Sequence, residues 1–184
     1  MASGGNSIGG RLRTVGAFPF APALAALALA ALFTAAACAP SAPRFERTFD
    51  SPRTLAAAVL LALEANDRVA LESIALSELE FREQVFPEMP AWGKIPMGYV
   101  WGDLRQKSRN ELNKILAYHG GRAYAVEDVV FDGGATAYET FVVHRKPRLV
   151  VRERTTREEK QLALFGSVIQ LDGRYKLFSY VVNR

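Results

Sequence analysis

The stretch "LFGSVIQLDGRYKLFSYVV", residues 164–182, decides how the chain folds. Asp172-Gly173 sits between two apolar runs, and both positions tolerate the positive φ of a two-residue type I′ turn. The stretch therefore reads as a β-hairpin in which Leu171 faces Arg174. From that pairing Val168 meets Leu177, Ser167 meets Phe178, Gly166 meets Ser179, Phe165 meets Tyr180 and Leu164 meets Val181. Both faces of the hairpin are largely apolar, so each needs a cover. Helices can supply one. A two-fold partner copy, or the chain's own loops and N-terminal tether, can supply the other. Gly166 leaves a shallow notch, as expected at a bend in a sheet.

Upstream, alternation predicts further strands near 122–131, 136–146, 148–155 and 160–171, with the hairpin's return strand at 174–183. Before Arg122 the period is helical. Ser51 is a cap and Pro52 suits the first helical position, followed by Leu55, Val59, Ala62 and Leu63 at helical spacing. Asn66-Asp67 ends that helix, and Asp67 caps a short one expected to bury Val69, Leu71 and Ile74. Ser77 and Glu80 have capping-box spacing for a third, which stops at Pro87. "PEMPAWGKIPMGY", residues 87–99, reads as a loop with three prolines and two glycines. A longer helix follows, carrying Trp101, Leu104, Ser108, Leu112, Ile115 and Leu116 on one stripe and ending at Gly120-Gly121. Helices first and an antiparallel sheet of four to five strands afterwards define an α+β domain with the helices on a curved sheet.

The N-terminal end has a different composition. Arg11 and Arg13 are the only charges before Arg44, and residues 14–43 hold no ionisable group except the thiol of Cys38. A basic start, an apolar run and small residues form the layout of an export signal. Ala35-Ala36-Ala37-Cys38 resembles the lipobox of bacterial lipoproteins. That resemblance implies cleavage before Cys38, acylation of its thiol and new amine, and a lipid anchor facing the periplasm. Ala39 in place of Asp is similar to the outer-membrane-sorted type. Cleavage after an Ala-x-Ala site and a retained spanning anchor are the alternatives, since about 20 apolar residues cross a bilayer. The organisation expected is a signal peptide at 1–37, a lipidated tether at 38–49 and one domain at 50–184.

The chain has 184 residues and the leader 37, which leaves 147, enough for one core. Of 23 Lys+Arg the leader takes two, so the remainder carries 21 against 19 Asp+Glu. That balance gives no reason to expect nucleic acid as a partner. A lone cysteine excludes a disulfide framework and a Cys-based zinc site, and two distant histidines argue against a transition-metal centre. No cofactor is expected. No nucleophile elbow, His-Glu-x-x-His helix or phosphate-cradling loop occurs.

"SPRTLAAAVLLALEANDRVALESIAL", residues 51–76, followed by "DGRYKLFSYVV", residues 172–182, resembles the nuclear transport factor 2-like superfamily. The resemblance implies a cone of helices and sheet around an apolar cavity. In ketosteroid isomerase and SnoaL-like enzymes that cavity is an active site, and in other members it binds a ligand or a partner. Glu139 and His144, in the stretch "TAYETFVVH", are the weak candidates for a general base. Tyr138, Thr140, Val142 and His144 are expected on one strand face, and a strand-edge salt bridge is the ordinary role for Glu139. His119 is expected to cap its helix as a cation. Trp92, Tyr99, Trp101 and Tyr138 are candidates to line a pocket for a small apolar ligand. Residues 145–160 carry seven basic and three acidic side chains, which suits either lipid phosphates or a charged sheet edge. The leading expectation is a lipid-anchored, non-enzymatic binding domain. An isomerase- or dehydratase-type cavity enzyme and a structural subunit of an envelope assembly are the alternatives.

Overall fold

A computed structural model of the chain describes residues 45–182. Cys38 and the leader lie outside the described residues. Among these residues the fold is α+β, with four helices ahead of the strands. Helix α1 (Pro52–Glu64) begins as its sequence dictates. Ser51 accepts from the Thr54 amide at 3.1 Å, the Thr54 hydroxyl accepts in return from the Ser51 amide, and proline fills the first turn. Its buried stripe is Leu55, Ala56, Val59, Leu60, Ala62 and Leu63. Asp67 caps α2 (Arg68–Ile74), which buries Leu71 and Ile74. Val69 departs from expectation at 76 % exposed. Seven residues make about two turns, and Val69 lies on the side opposite the pair that packs.

Ser77 and Glu80 form the expected capping box at the start of α3 (Glu78–Glu80). That helix continues as a π-helical turn (Phe81–Val85) and a tight 3-10 turn (Phe86–Glu88). The changing pitch turns Phe81, Val85 and Phe86 all inward. Helix α4 (Met97–His119) follows, and Gly121 takes φ +77° just past its end.

The strands are β1 (Tyr124–Phe131), β2 (Ala135–Ala137), β3 (Val142–Arg145), β4 (Pro147–Glu153), β5 (Glu159–Leu162), β6 (Ser167–Leu171) and β7 (Arg174–Ser179). They form two antiparallel sheets, ordered β1-β4-β5 and β2-β3-β6-β7. The registers show that the two sheets are the halves of one bent meander. Phe131 pairs with Pro147, Ala135 pairs with His144, and the amides of Asp132 and Gly133 still donate to Lys146 and Arg145 across the break. On the next strand the Lys146 amide donates to the Gly166 carbonyl at 3.2 Å. Lys146 itself sits at φ +49°. Such a kink interrupts the ladder and turns the strand.

Two strand expectations need correction. The single strand 136–146 is two strands joined by a tight hairpin at 138–141, where the Tyr138 amide donates to the Phe141 carbonyl at 2.8 Å. Tyr138 and Thr140 therefore do not share a strand face with Val142 and His144. The strand 160–171 divides into β5 and β6 at residues 163–166. In the β6–β7 hairpin the turn and the pairs Leu171–Arg174 and Val168–Leu177 are as expected. Beyond them a bulge shifts the register, so Ser167 pairs with Ser179 and not with Phe178. The notch expected at Gly166 is filled, since a Cβ there would lie 1.6 Å from the Val181 carbonyl oxygen.

Both faces of the hairpin are covered within the chain. One packs on α1, α2 and α4 through Val168, Leu177, Leu164, Phe165 and Tyr180. The other carries Ile169 and Leu171 against Phe45, Leu76, Phe81, Val85, Phe86 and Phe141. Of residues 45–49, expected as part of the tether, Phe45 belongs to this packing and Phe49 packs against the first cluster. Phe45 is buried, and Phe49 exchanges two 2.8 Å backbone hydrogen bonds with Tyr175.

Candidate functional site

A cavity of about 450 Å³ opens between the α2–α3 segment, α4 and β7. Trp101, Leu104, Ser108 and Leu112 present successive turns of α4 to it, and Phe178 and Tyr180 close the sheet side. The helical period brings this stripe to one face, and the bulge in β7 tilts the strand end toward it. The Tyr180 amide donates to Ser108 Oγ at 3.1 Å, which ties strand to helix at the cavity floor. The Tyr180 hydroxyl donates to the Leu71 carbonyl at 2.7 Å. Burial holds that phenol far above its ordinary pKa, so it stays protonated. Trp101 Nε1 is buried, with no hydrogen-bond acceptor among the described residues. It is an unmet donor on a residue of the cavity wall.

The charged residues of the cavity, Glu72, Glu78, Arg105 and Arg109, are all exposed at its rim. Arg68 pairs with Glu72 at 3.4 Å. Charges at a wet rim are screened by water and suit the orientation of a ligand.

The pocket candidates from sequence separate. Trp101 lines the cavity. Trp92 is exposed and meets Phe86 edge-on with centroids 5.4 Å apart, Tyr99 is exposed, and Tyr138 stacks on Phe141 at 4.6 Å. None of these three lines the cavity. Glu139 lies exposed at the 138–141 hairpin tip, and among the described residues it forms no ion pair that would make it a strand-edge bridge. His144 is half-buried on β3, with Nε2 hydrogen-bonded to Gln170 Oε1 at 2.8 Å and its ring 4.9 Å from that of Phe131. Neither base candidate reaches the cavity.

His119 does not act as a cationic cap. Its Nδ1 is hydrogen-bonded to the Tyr124 hydroxyl at 3.2 Å. Burial, then the charges of Arg122 and Lys160, hold its pKa below the ordinary value. The basic run 145–160 is largely neutralised: Arg148 pairs with Asp132, Arg152 with Glu127, Arg154 with Glu64 and Lys160 with Glu153. The Arg148 hydrogen bond holds Asp132 below the usual carboxylate range, and Lys160 does the same for Glu153.

Glu80 and Lys176 form a buried ion pair at 3.2 Å, 3 % and 1 % exposed. Glu80 Oε2 accepts from the Ser77 amide at 2.7 Å, and Oε1 accepts from the Glu46 amide at 2.6 Å. Lys176 Nζ donates to the Glu46 carbonyl. Burial lowers the Lys176 pKa while Glu80 opposes that shift. The pair fastens residues 45–49 to α3 and β7 and lies outside the cavity lining. The sequence marked Glu80 as a cap and gave no sign of its second partner, 96 positions downstream.

Among the described residues no group of His, Cys, Asp and Glu could hold a metal ion, and no helix is long and apolar enough to cross a membrane. No family model, curated protein or solved structure matches the chain.

Proposed function

We propose that this chain is a lipid-anchored binding domain of the cell envelope whose cavity takes a small, largely apolar ligand without chemical conversion. One observation carries the reading: an open cavity of about 450 Å³ with Trp101, Leu104, Leu112 and Phe178 on its wall. That size suits a small organic molecule, and apolar walls with few polar groups are the usual lining of such sites. The resemblance of the two chain ends to the nuclear transport factor 2-like superfamily supports a cavity of this kind. Binding is favoured over catalysis because the ionisable side chains at the cavity stand at its wet rim or, like Tyr180, are locked in one protonation state. The anchor reading rests on the leader and Cys38.

The test is binding of the apolar fluorophore 1-N-phenylnaphthylamine to the full chain in detergent, with Leu104→Trp to fill the cavity. The filled variant should bind at least about tenfold more weakly at unchanged thermal stability. Equal binding by both proteins refutes the cavity as the site. Intact mass of membrane-extracted protein tests the anchor, which requires a chain that starts at Cys38 and carries acyl groups.

A further inference from the structure

Three large apolar side chains stand in water within eight residues: Trp92 at 57 %, Ile95 at 49 % and Tyr99 at 77 % exposure. Lys94, between the first two, forms no ion pair among the described residues. The segment is built and held. The Ile95 amide donates to the Ala91 carbonyl at 3.0 Å, the Tyr99 amide donates to the Pro96 carbonyl at 3.0 Å, and Trp92 rests on Phe86. Rigid exposure of this much apolar surface is unfavourable in water and marks a contact surface. Tryptophan and tyrosine beside lysine is the composition that settles at a membrane interface, rings at headgroup level and ammonium on phosphate.

The geometry of the chain says what covers this surface. Phe45 is buried in the same cluster as Phe81 and Phe86, and Phe81 lies 5.8 Å from Phe86, on which Trp92 packs. The fold therefore grips the incoming chain on the layer that carries the exposed loop. Between Cys38 and Phe45 there are six residues, two of them proline, and the connection spans at most about 25 Å fully extended. An anchor at Cys38, or a span ending near it, holds that layer against the lipid.

We infer that the segment 91–99 docks on the bilayer surface, with Trp92, Ile95 and Tyr99 at the headgroup–acyl boundary and Lys94 on a lipid phosphate. This rests on the membrane attachment read from the leader. Several acyl chains on Cys38 already hold the protein to the bilayer, and the docking loop adds a second contact that orients it.

The natural tryptophans report on it. The full chain is reconstituted into phosphatidylethanolamine–phosphatidylglycerol vesicles with and without brominated acyl chains, and compared with Trp92→Phe. The difference isolates Trp92 and leaves Trp101 undisturbed. Trp92 emission should fall about twofold in the brominated vesicles, as expected of an interfacial indole. A chain that floats with the vesicles while Trp92 is unquenched overturns the docking and leaves the anchor standing. A chain that does not float overturns both. Quenching of Trp92 in a chain whose mass shows no acyl group upholds the docking and removes the lipidation.

Discussion

The two apolar layers on either side of the β6–β7 hairpin are built by different means. The first is mainly aliphatic and comes from regular elements: α1, α2, the later turns of α4, and β4. The second is rich in aromatics and comes largely from irregular ones: Phe45, the mixed-pitch segment after α3, and the hairpin tip at Phe141. Among the described residues it holds the ion pair with both partners buried, Glu80–Lys176, and it borders the exposed Trp92, Ile95 and Tyr99. A layer assembled from loops leaves backbone amides without ladder partners, and charged side chains must satisfy them. Glu80 does so for Ser77 and Glu46. The lesson is that regular layers are held by area, and the irregular one by a few indispensable polar contacts.

Breaking the second layer should cost most. Glu80→Ala strands Lys176 in the interior and frees two amides, and should lose about 3–5 kcal/mol in urea unfolding. Replacing both partners, Glu80→Leu with Lys176→Met, should recover most of that loss, because no unpaired charge remains. A single variant as stable as the parent would remove the distinction between the layers.

The next effect lies where the layers meet. Gly166→Ala places a methyl against the Val181 carbonyl and must push the C-terminal segment off the sheet. A loss of about 1–3 kcal/mol is expected, with exposure of Tyr180 seen as faster exchange of its amide. An unchanged midpoint would mean that residues 180–182 are not held as described.

The smallest effect probes the rim of the first layer. His119 has a folded pKa below its ordinary value near 6.5, so the unfolded chain takes up the proton first. Stability should thus fall as pH drops through about 6.5 toward the folded value, whereas the depressed carboxylates Asp132 and Glu153 act only below the ordinary carboxylate range. The urea midpoint of His119→Gln should change less than that of the parent between about pH 7.5 and 5.5. Parallel curves would place the burial of His119 in doubt.

Much of the first layer was legible because its signals are local. Ser51, Pro52, Asp67 and the Ser77–Glu80 box act within four residues, and helical spacing selects Leu55, Val59 and Leu63 without reference to anything distant. Asp172-Gly173 likewise fixes its turn by backbone geometry alone, at φ +49° and +74°. The cavity was half legible. Trp101, Leu104, Ser108 and Leu112 share a stripe by period, but period cannot distinguish a stripe that is covered from one that faces a void. Trp92, Tyr99 and Tyr138 look like the same kind of residue in sequence and end outside the cavity.

The amino-acid sequence by itself determined the helix starts, the final turn, the α+β order and the chemically distinct leader, because each depends on neighbours along the chain. Tertiary structure alone decided the bend that splits the strands, the bulge at Ser167, the Glu80–Lys176 pair and which aromatics stay in water. Those depend on which distant groups come to share one space, and burial and desolvation energies exist only once they do.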